Sequence, residues 1–214
     1  ESMIDASATA ARGIDLIEQG LEIAGDRLTE QQRYAYQYRL AGKYFDQKNY
    51  AKAAAMYAEL IPAREKYTAY ADALDRAVES YVRMGEENLS SDFRETIENL
   101  NIALRLNPNN QKALFLLGRI YLDIGQLENA ILTLSKLVQL APTYKEANHF
   151  LGRAYFQVRD YDKALKHLSA EIDAHRDTYF ALVDRAEVYI ALGNYTAAEA
   201  DLSAAMALDN QHWL

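Results

Sequence analysis

Few side chains in this sequence are of types and spacings that do chemistry. Four histidines are present, His149, His167, His175 and His212, and cysteine is absent. Without cysteine there is no disulfide, no thiolate nucleophile and no Cys-ligated zinc or iron–sulfur centre. His167 and His175 sit about two turns apart on one helix, too far for a close metal pair without further ligands. No HExxH, no G-x-S-x-G and no Gly-rich phosphate loop occurs. The expectation is a chain with no catalytic residue, no metal site and no cofactor, its histidines solvated or packed. Asn88-Leu89-Ser90 and Asn194-Tyr195-Thr196 match the N-glycosylation acceptor, a short pattern that also arises by chance. The acidic runs at Glu86-Glu87 and from Glu95 to Glu98 read as solvated turns and helix faces. Two cationic groups recur at a fixed interval, Arg119 and Arg153.

That interval, 34 residues, belongs to the whole sequence. It separates Pro108 from Pro142, Gly118 from Gly152, and successive members of Ala130, Ala164 and Ala198 and of Tyr121, Tyr155 and Tyr189. The clearest copy, 111–144, reads Leu114, Leu117-Gly118, Tyr121, Gly125, Ala130, Leu134, Pro142. Copy 145–178 has Arg176 in place of the proline, and copy 179–212 follows. Upstream lie copies 34–67 and 71–110, the second with about six extra residues near Glu86 to Ser91. Residues 1–33 read as a partial hairpin: a second helix from Arg12 to Gly25, then a spacer from Leu28 to Arg33.

A period of 34 with Leu-Gly, then Tyr, Ala and Pro, resembles the tetratricopeptide repeat. The resemblance implies an all-α solenoid of αα-hairpins, a right-handed superhelix forming one array over 1–214, with about eleven helices and no strand. In each first helix the apolar residues at offsets 4, 7, 8 and 11 fall on one buried stripe. The small residue at offset 8 (Ala41, Gly118, Gly152, Ala186) admits the paired helix, answered by Ala53, Ala130, Ala164 and Ala198. Glycines 85, 125 and 193 are expected just past first helices, in the left-handed cap conformation. The tyrosines 44, 81, 121, 155 and 189 are expected in the core.

In this family the face opposite that stripe lines a peptide groove, so the resemblance makes offsets 2, 5, 9, 12 and 13 the candidate site. They carry Tyr38, Phe45, Asp75, Glu79, Lys112, Phe115, Arg119, Leu122, His149, Arg153, Phe156, Phe180, Glu187 and Ile190. Chaperone-binding members hold a C-terminal carboxylate with a lysine/asparagine clamp. Here offset 9 is Gly42, Glu79, Arg119, Arg153 and Glu187, never asparagine, so that clamp is not expected.

A formal net charge of −8 argues against a nucleic-acid backbone as partner, since phosphate binding needs a basic footprint. No apolar run approaches the ~18 residues that would insert in a bilayer. Glu1-Ser2-Met3 shows no signal-peptide feature, so a soluble chain of unassigned compartment is expected. The function these features imply is a non-catalytic scaffold that binds a segment of a partner protein in its concave groove. The alternative is the regulatory or substrate-docking array of a larger enzyme. Self-association through the C-terminal end is also expected, because Asp209 to Leu214 is too short to cap the last helix.

Overall fold

In a computed structural model the described residues are 2–24, 27–87, 93–175 and 178–209, and no strand occurs among them. Their eleven α-helices are α1 (Ser2–Ala24), α2 (Glu30–Asp46), α3 (Tyr50–Leu60), α4 (Ala73–Glu87), α5 (Phe93–Leu106), α6 (Gln111–Asp123), α7 (Leu127–Leu140), α8 (Ala147–Gln157), α9 (Tyr161–Ala174), α10 (Tyr179–Ala191) and α11 (Tyr195–Asp209). They gather into two compact units, Glu1–Pro108 and Asn109–Leu214.

In the first unit each helix from α1 to α5 packs on the next. Helix α1 begins well before the expected Arg12 and runs 23 residues. Residues 30–33, expected in a spacer, are instead the first turn of α2. The reason is a capping box: the Thr29 hydroxyl accepts from the Gln32 N–H, and the Gln32 side chain accepts from the Thr29 N–H. Leu40, Ala41, Tyr44, Ala53, Tyr57 and Leu60 form the core of this unit. Two 3-10 turns, Pro62–Glu65 and Thr68–Tyr70, join α3 to α4. The extra residues expected before α5 fall largely at 88–92, outside the described residues.

The second unit is three hairpins, α6/α7, α8/α9 and α10/α11, and each first helix also touches the next first helix. The turn inside each hairpin follows one scheme. In the α6/α7 turn Gly125 takes φ 73°, its N–H bonds the Leu122 carbonyl at 3.1 Å, and the Gln126 N–H bonds the Tyr121 carbonyl at 2.8 Å. These are the two bonds of a Schellman cap. Gly193 repeats it at φ 75°, whereas Arg159 adopts φ 61° with a side chain. In the first unit Lys48 does the same in the α2/α3 turn, also at φ 61°. Gly85 does not cap: it lies inside α4, buried, where a Cβ would come within 2.9 Å of Leu100.

Close approach is what the other small residues serve. A Cβ built on Gly118 would lie 2.6 Å from Leu134 Cγ, and one on Gly152 would lie 2.6 Å from Leu168 Cγ. The partner of the offset-8 notch is thus chiefly the leucine one turn beyond Ala130 or Ala164, although the Ala164 carbonyl also lies 3.2 Å from the Gly152 position. Leu100, Leu134 and Leu168 are fully buried, each stabilising its hairpin by about 1.5–3 kcal/mol. The tyrosine ladder is less internal than expected. Tyr44 is buried, but Tyr81, Tyr121, Tyr155 and Tyr189 are half-buried. The carbonyls of Tyr44, Tyr121, Tyr155 and Tyr189 close the caps at their helix ends, and the half-buried rings lie at the edge of the core.

Two substitutions test this packing. Gly118→Ala should lower stability by about 1–3 kcal/mol through overpacking against Leu134, measured by denaturant unfolding. A gain of about 1 kcal/mol, the helix-propensity value alone, would mean that Leu134 yields freely. Arg159→Gly should instead raise stability by about 1 kcal/mol, because it relieves a left-handed residue that carries a Cβ.

Candidate functional site

The second unit gathers one constellation. His149, on α8, donates from Nε2 to Asp184 Oδ2 on α10 at 2.5 Å, and Arg153 Nε approaches the same oxygen at 3.4 Å. His149 is buried and Asp184 largely so, which makes this a charge-assisted contact of low exposure. One repeat earlier the corresponding contact is apolar: the rings of Phe115 and Phe150 meet edge to face at 5.7 Å. Arg119 lies over both rings, 4.9 Å from the Phe150 centroid and 5.6 Å from that of Phe115, a cation–π arrangement. It has no carboxylate partner among the described residues.

These groups border a cavity of about 420 Å³, with Phe180 exposed on one side and Asp123 and Glu146 contributing acidic groups. A smaller space of about 210 Å³ shares Arg153 and Asp184 and adds Phe156 and Glu187. Glu146 is held in a left-handed conformation, φ 66°, by its N–H bond to Glu171 Oε1 at 2.8 Å. Buried Glu171 therefore shapes the rim from behind.

The remaining candidates divide between core and surface. In the second unit Leu122 is buried in the core, Lys112 is half-buried on α6, and Ile190 is exposed on α10. In the first unit Tyr38 donates its hydroxyl to Asp72 at 2.8 Å, and burial together with that carboxylate pushes its pKa up to about 12. It stays protonated and structural. Phe45 packs edge to face on Tyr50 at 5.1 Å, Glu79 pairs with Arg83 at 2.7 Å, and Asp75 is exposed. His175 is the C-cap of α9, and Asn194 caps α11 by accepting from the Ala197 N–H at 3.3 Å. His212 and Asn88 lie outside the described residues.

A family model described as tetratricopeptide repeat matches residues 90–145, and one described as anaphase-promoting complex, cyclosome, subunit 3 matches 123–205. Repeats of the tetratricopeptide type thus run through residues 90–205. The solved structure titled "Crystal structure of MamA" superposes with a TM-score of 0.63 at 19% identity, covering 81% of this chain and 96% of that one. A second, "MamA 41-end from Desulfovibrio magneticus RS-1", gives 0.62 at 17%, covering 83% and 96%. At these identities the likeness shows the fold. FK506-binding protein 59 of Drosophila melanogaster is 29% identical over 145 residues, which is 65% of this chain. The chain spans 33% of that relative's length. Tetratricopeptide arrays are protein-interaction scaffolds, and at that level the repeats supply the function.

The sequence pattern missed half of the cavity wall. Glu146 and Asp123 stand at offsets 2 and 13, on the face already singled out. Phe150 and Asp184 stand at offset 6, which is not on it. They reach the cavity because offset 5 of one tetratricopeptide repeat meets offset 6 of the next. Phe115 with Phe150 and His149 with Asp184 are both pairs at a separation of 35. Periodicity of complementary pairs at 35, one more than the repeat, was the available signal.

Asp184 holds two cationic or donor groups at once. Asp184→Ala should therefore cost about 1–3 kcal/mol, the penalty for leaving buried His149 without its acceptor. An unchanged thermal melt would show that the contact is solvated and weak.

Proposed function

We propose that this array binds a partner segment in the groove of its second unit, and that the segment interleaves acidic and apolar residues. The observation that carries the reading is Arg119: a guanidinium laid on Phe150 and Phe115, without a carboxylate partner among the described residues, beside a cavity of about 420 Å³. A carboxylate brought to it forms an oriented, often bidentate pair, while exposed Phe180 supplies apolar contact. Asp123 and Glu146 on the rim disfavour a second carboxylate close by, which spaces the acidic positions. Arg153, the other arginine of the periodic pair, is engaged by Asp184 and acts first as a structural group. In this reading the chain is non-catalytic and nucleic acid is not its ligand.

The alternative, a regulatory or substrate-docking array within a larger enzyme, is favoured by one observation: the matched relative is about three times as long as the part this chain spans. Both readings use the same groove.

Self-association is the second part of the proposal, with a second copy of the chain as the occupant. In α9 the stripe Tyr161, Leu168 and Ile172 packs into the core shared with α10. The same positions of α11 are Tyr195, Leu202 and Met206, all exposed. Helix α1 exposes Leu16 and Ile23, an apolar surface of the kind that covers such a stripe. End-to-end joining of this sort is heterologous. Concentration-dependent association in sedimentation, abolished by Met206→Glu, is the expected result. A monomer at all concentrations would refute it.

For the groove, peptides selected from a random display library on the full chain should be enriched in acidic residues beside aromatic or aliphatic ones. Arg119→Glu should abolish their binding while keeping the helical signal, and lower the melting temperature by no more than about 2–4 °C, the cost of the lost cation–π contacts. Enrichment of basic peptides, or undiminished binding to the variant, would overturn the reading.

A further inference from the structure

The repeat provides an internal comparison in the spaces between successive second helices. Between α9 and α11 the space is bridged by Arg185 of α10. Its Nε and Nη2 donate to Asp201 at 2.8 and 2.6 Å, and its Nη1 donates to Ser169 Oγ at 3.0 Å. Stepping back 34 residues gives the same positions between α7 and α9: Ser135 for Ser169, Leu151 for Arg185 and His167 for Asp201. Leucine carries no donor to bridge the other two. The result is a cavity of about 410 Å³ bounded by Ser135, His167 and the flanking Lys163 and Lys166. The lysines have no counterpart in the filled copy, where the corresponding residues are Ala197 and Ala200.

The hydrogen bonds fix what His167 presents to that space. Asn148 donates its Nδ2 to the Pro142 carbonyl at 2.9 Å, so its Oδ1 is the atom facing His167 Nδ1, also at 2.9 Å. An amide oxygen accepts only, so Nδ1 carries the proton and Nε2 carries a lone pair. Nε2 has no partner among the described residues, and His167 lines the cavity. The ring is held by parallel stacking on Tyr155, 5.6 Å between centroids at 9°. Burial foremost, then Lys166 and Lys163, lowers the His167 pKa, which keeps the imidazole neutral. Lys163 is paired with Asp160 at 2.6 Å, whereas Lys166 has no ion-pair partner among the described residues.

We propose that this cavity is a binding site for a phosphomonoester on a small apolar or aromatic body. The site offers a fixed acceptor nitrogen, a hydroxyl, ammonium charge and an aromatic wall. Its ligand must therefore bring both negative charge and a hydrogen-bond donor. A carboxylate or a sulfate ester is charged but has no donor at neutral pH. A phosphomonoester, with a second pKa of about 6, is roughly one-tenth P–OH monoanion at neutral pH, and that is the form a neutral imidazole selects, so binding takes up about one proton from solvent. The P–OH donates to His167 Nε2, while the anionic oxygens face Lys166 and the Ser135 hydroxyl. The volume is within the range of small-ligand sites, roughly 300–1,000 Å³.

The test is calorimetric titration of the full chain with phenyl phosphate, with phenyl sulfate as the donor-free control, read alongside the 15N resonance of His167 Nε2. Saturable binding of phenyl phosphate, at least about tenfold tighter than phenyl sulfate and shifting that resonance, is expected; tenfold corresponds to about 1.4 kcal/mol. The double variant L151R/H167D recreates the Arg185–Asp201–Ser169 arrangement that the protein already folds around. It should keep the helical signal and lose the binding. His167→Phe, which preserves the stack on Tyr155, should lose the preference for phosphate over sulfate. A phosphotyrosyl peptide binding more tightly than phenyl phosphate assigns the site to a phosphorylated protein side chain; equal or weaker binding assigns it to a free phosphomonoester. No saturation at millimolar phenyl phosphate, equal affinity for phenyl sulfate, or undiminished binding to the folded double variant overturns the proposal.

Discussion

Every hairpin of the second unit turns on how near its two helices come. At Gly118 and Gly152 the absent side chain is replaced by Leu134 and Leu168, whose Cγ atoms stand 2.6 Å from where a Cβ would be. A side chain on the first helix would push the second outward. The buried leucines, the Schellman turn and the lateral contact between first helices would then all lose their spacing. Gly85 with Leu100 shows the same device inside the first unit, at 2.9 Å. Alanine serves where the partner leaves a little more room, as Ala41 and Ala186 do, both fully buried.

Once the hairpins are this thin, successive first helices touch side by side. That lateral seam makes the candidate groove. One seam position is spent on apolar packing, Phe115 on Phe150, and the next on charge, His149 and Arg153 on Asp184. The alternation leaves Arg119 supported by aromatic faces but not neutralised by a carboxylate among the described residues, which is an economical way to present a cation to a ligand. On the opposite side of the same helices, between second helices, the repeat is again varied by one substitution. Leu151 stands where Arg185 fills the next copy, and a cavity with a fixed imidazole tautomer results.

Left-handed turns illustrate a different tolerance. Gly125 and Gly193 meet the requirement for positive φ without strain, yet Arg159 and Lys48 meet it too. The two cap hydrogen bonds and the packing of both helices over-determine the turn, so a cost of about 1 kcal/mol is absorbed. This is why glycine alone was an incomplete guide to where hairpins bend, and why Gly85, buried mid-helix, was misplaced by it.

The sequence by itself determined the hairpins. A 34-residue period with helical apolar stripes specifies which segments are helices, which faces are buried and which family they resemble, because those features arise from local geometry that repeats with the residues. It also placed Arg119, His149, Arg153 and Phe180 on one face. Only the tertiary structure decided which of them are engaged. Arg153 is neutralised by Asp184 and Arg119 is not, a distinction that depends on contact across a repeat at a separation of 35. Likewise the tyrosine ladder looked like core because it lies on the apolar stripe, but its half-burial depends on where the neighbouring helix ends. Pattern records the direction of a side chain from its own helix; the partner it meets is set by the packing distance between helices, which no single repeat contains.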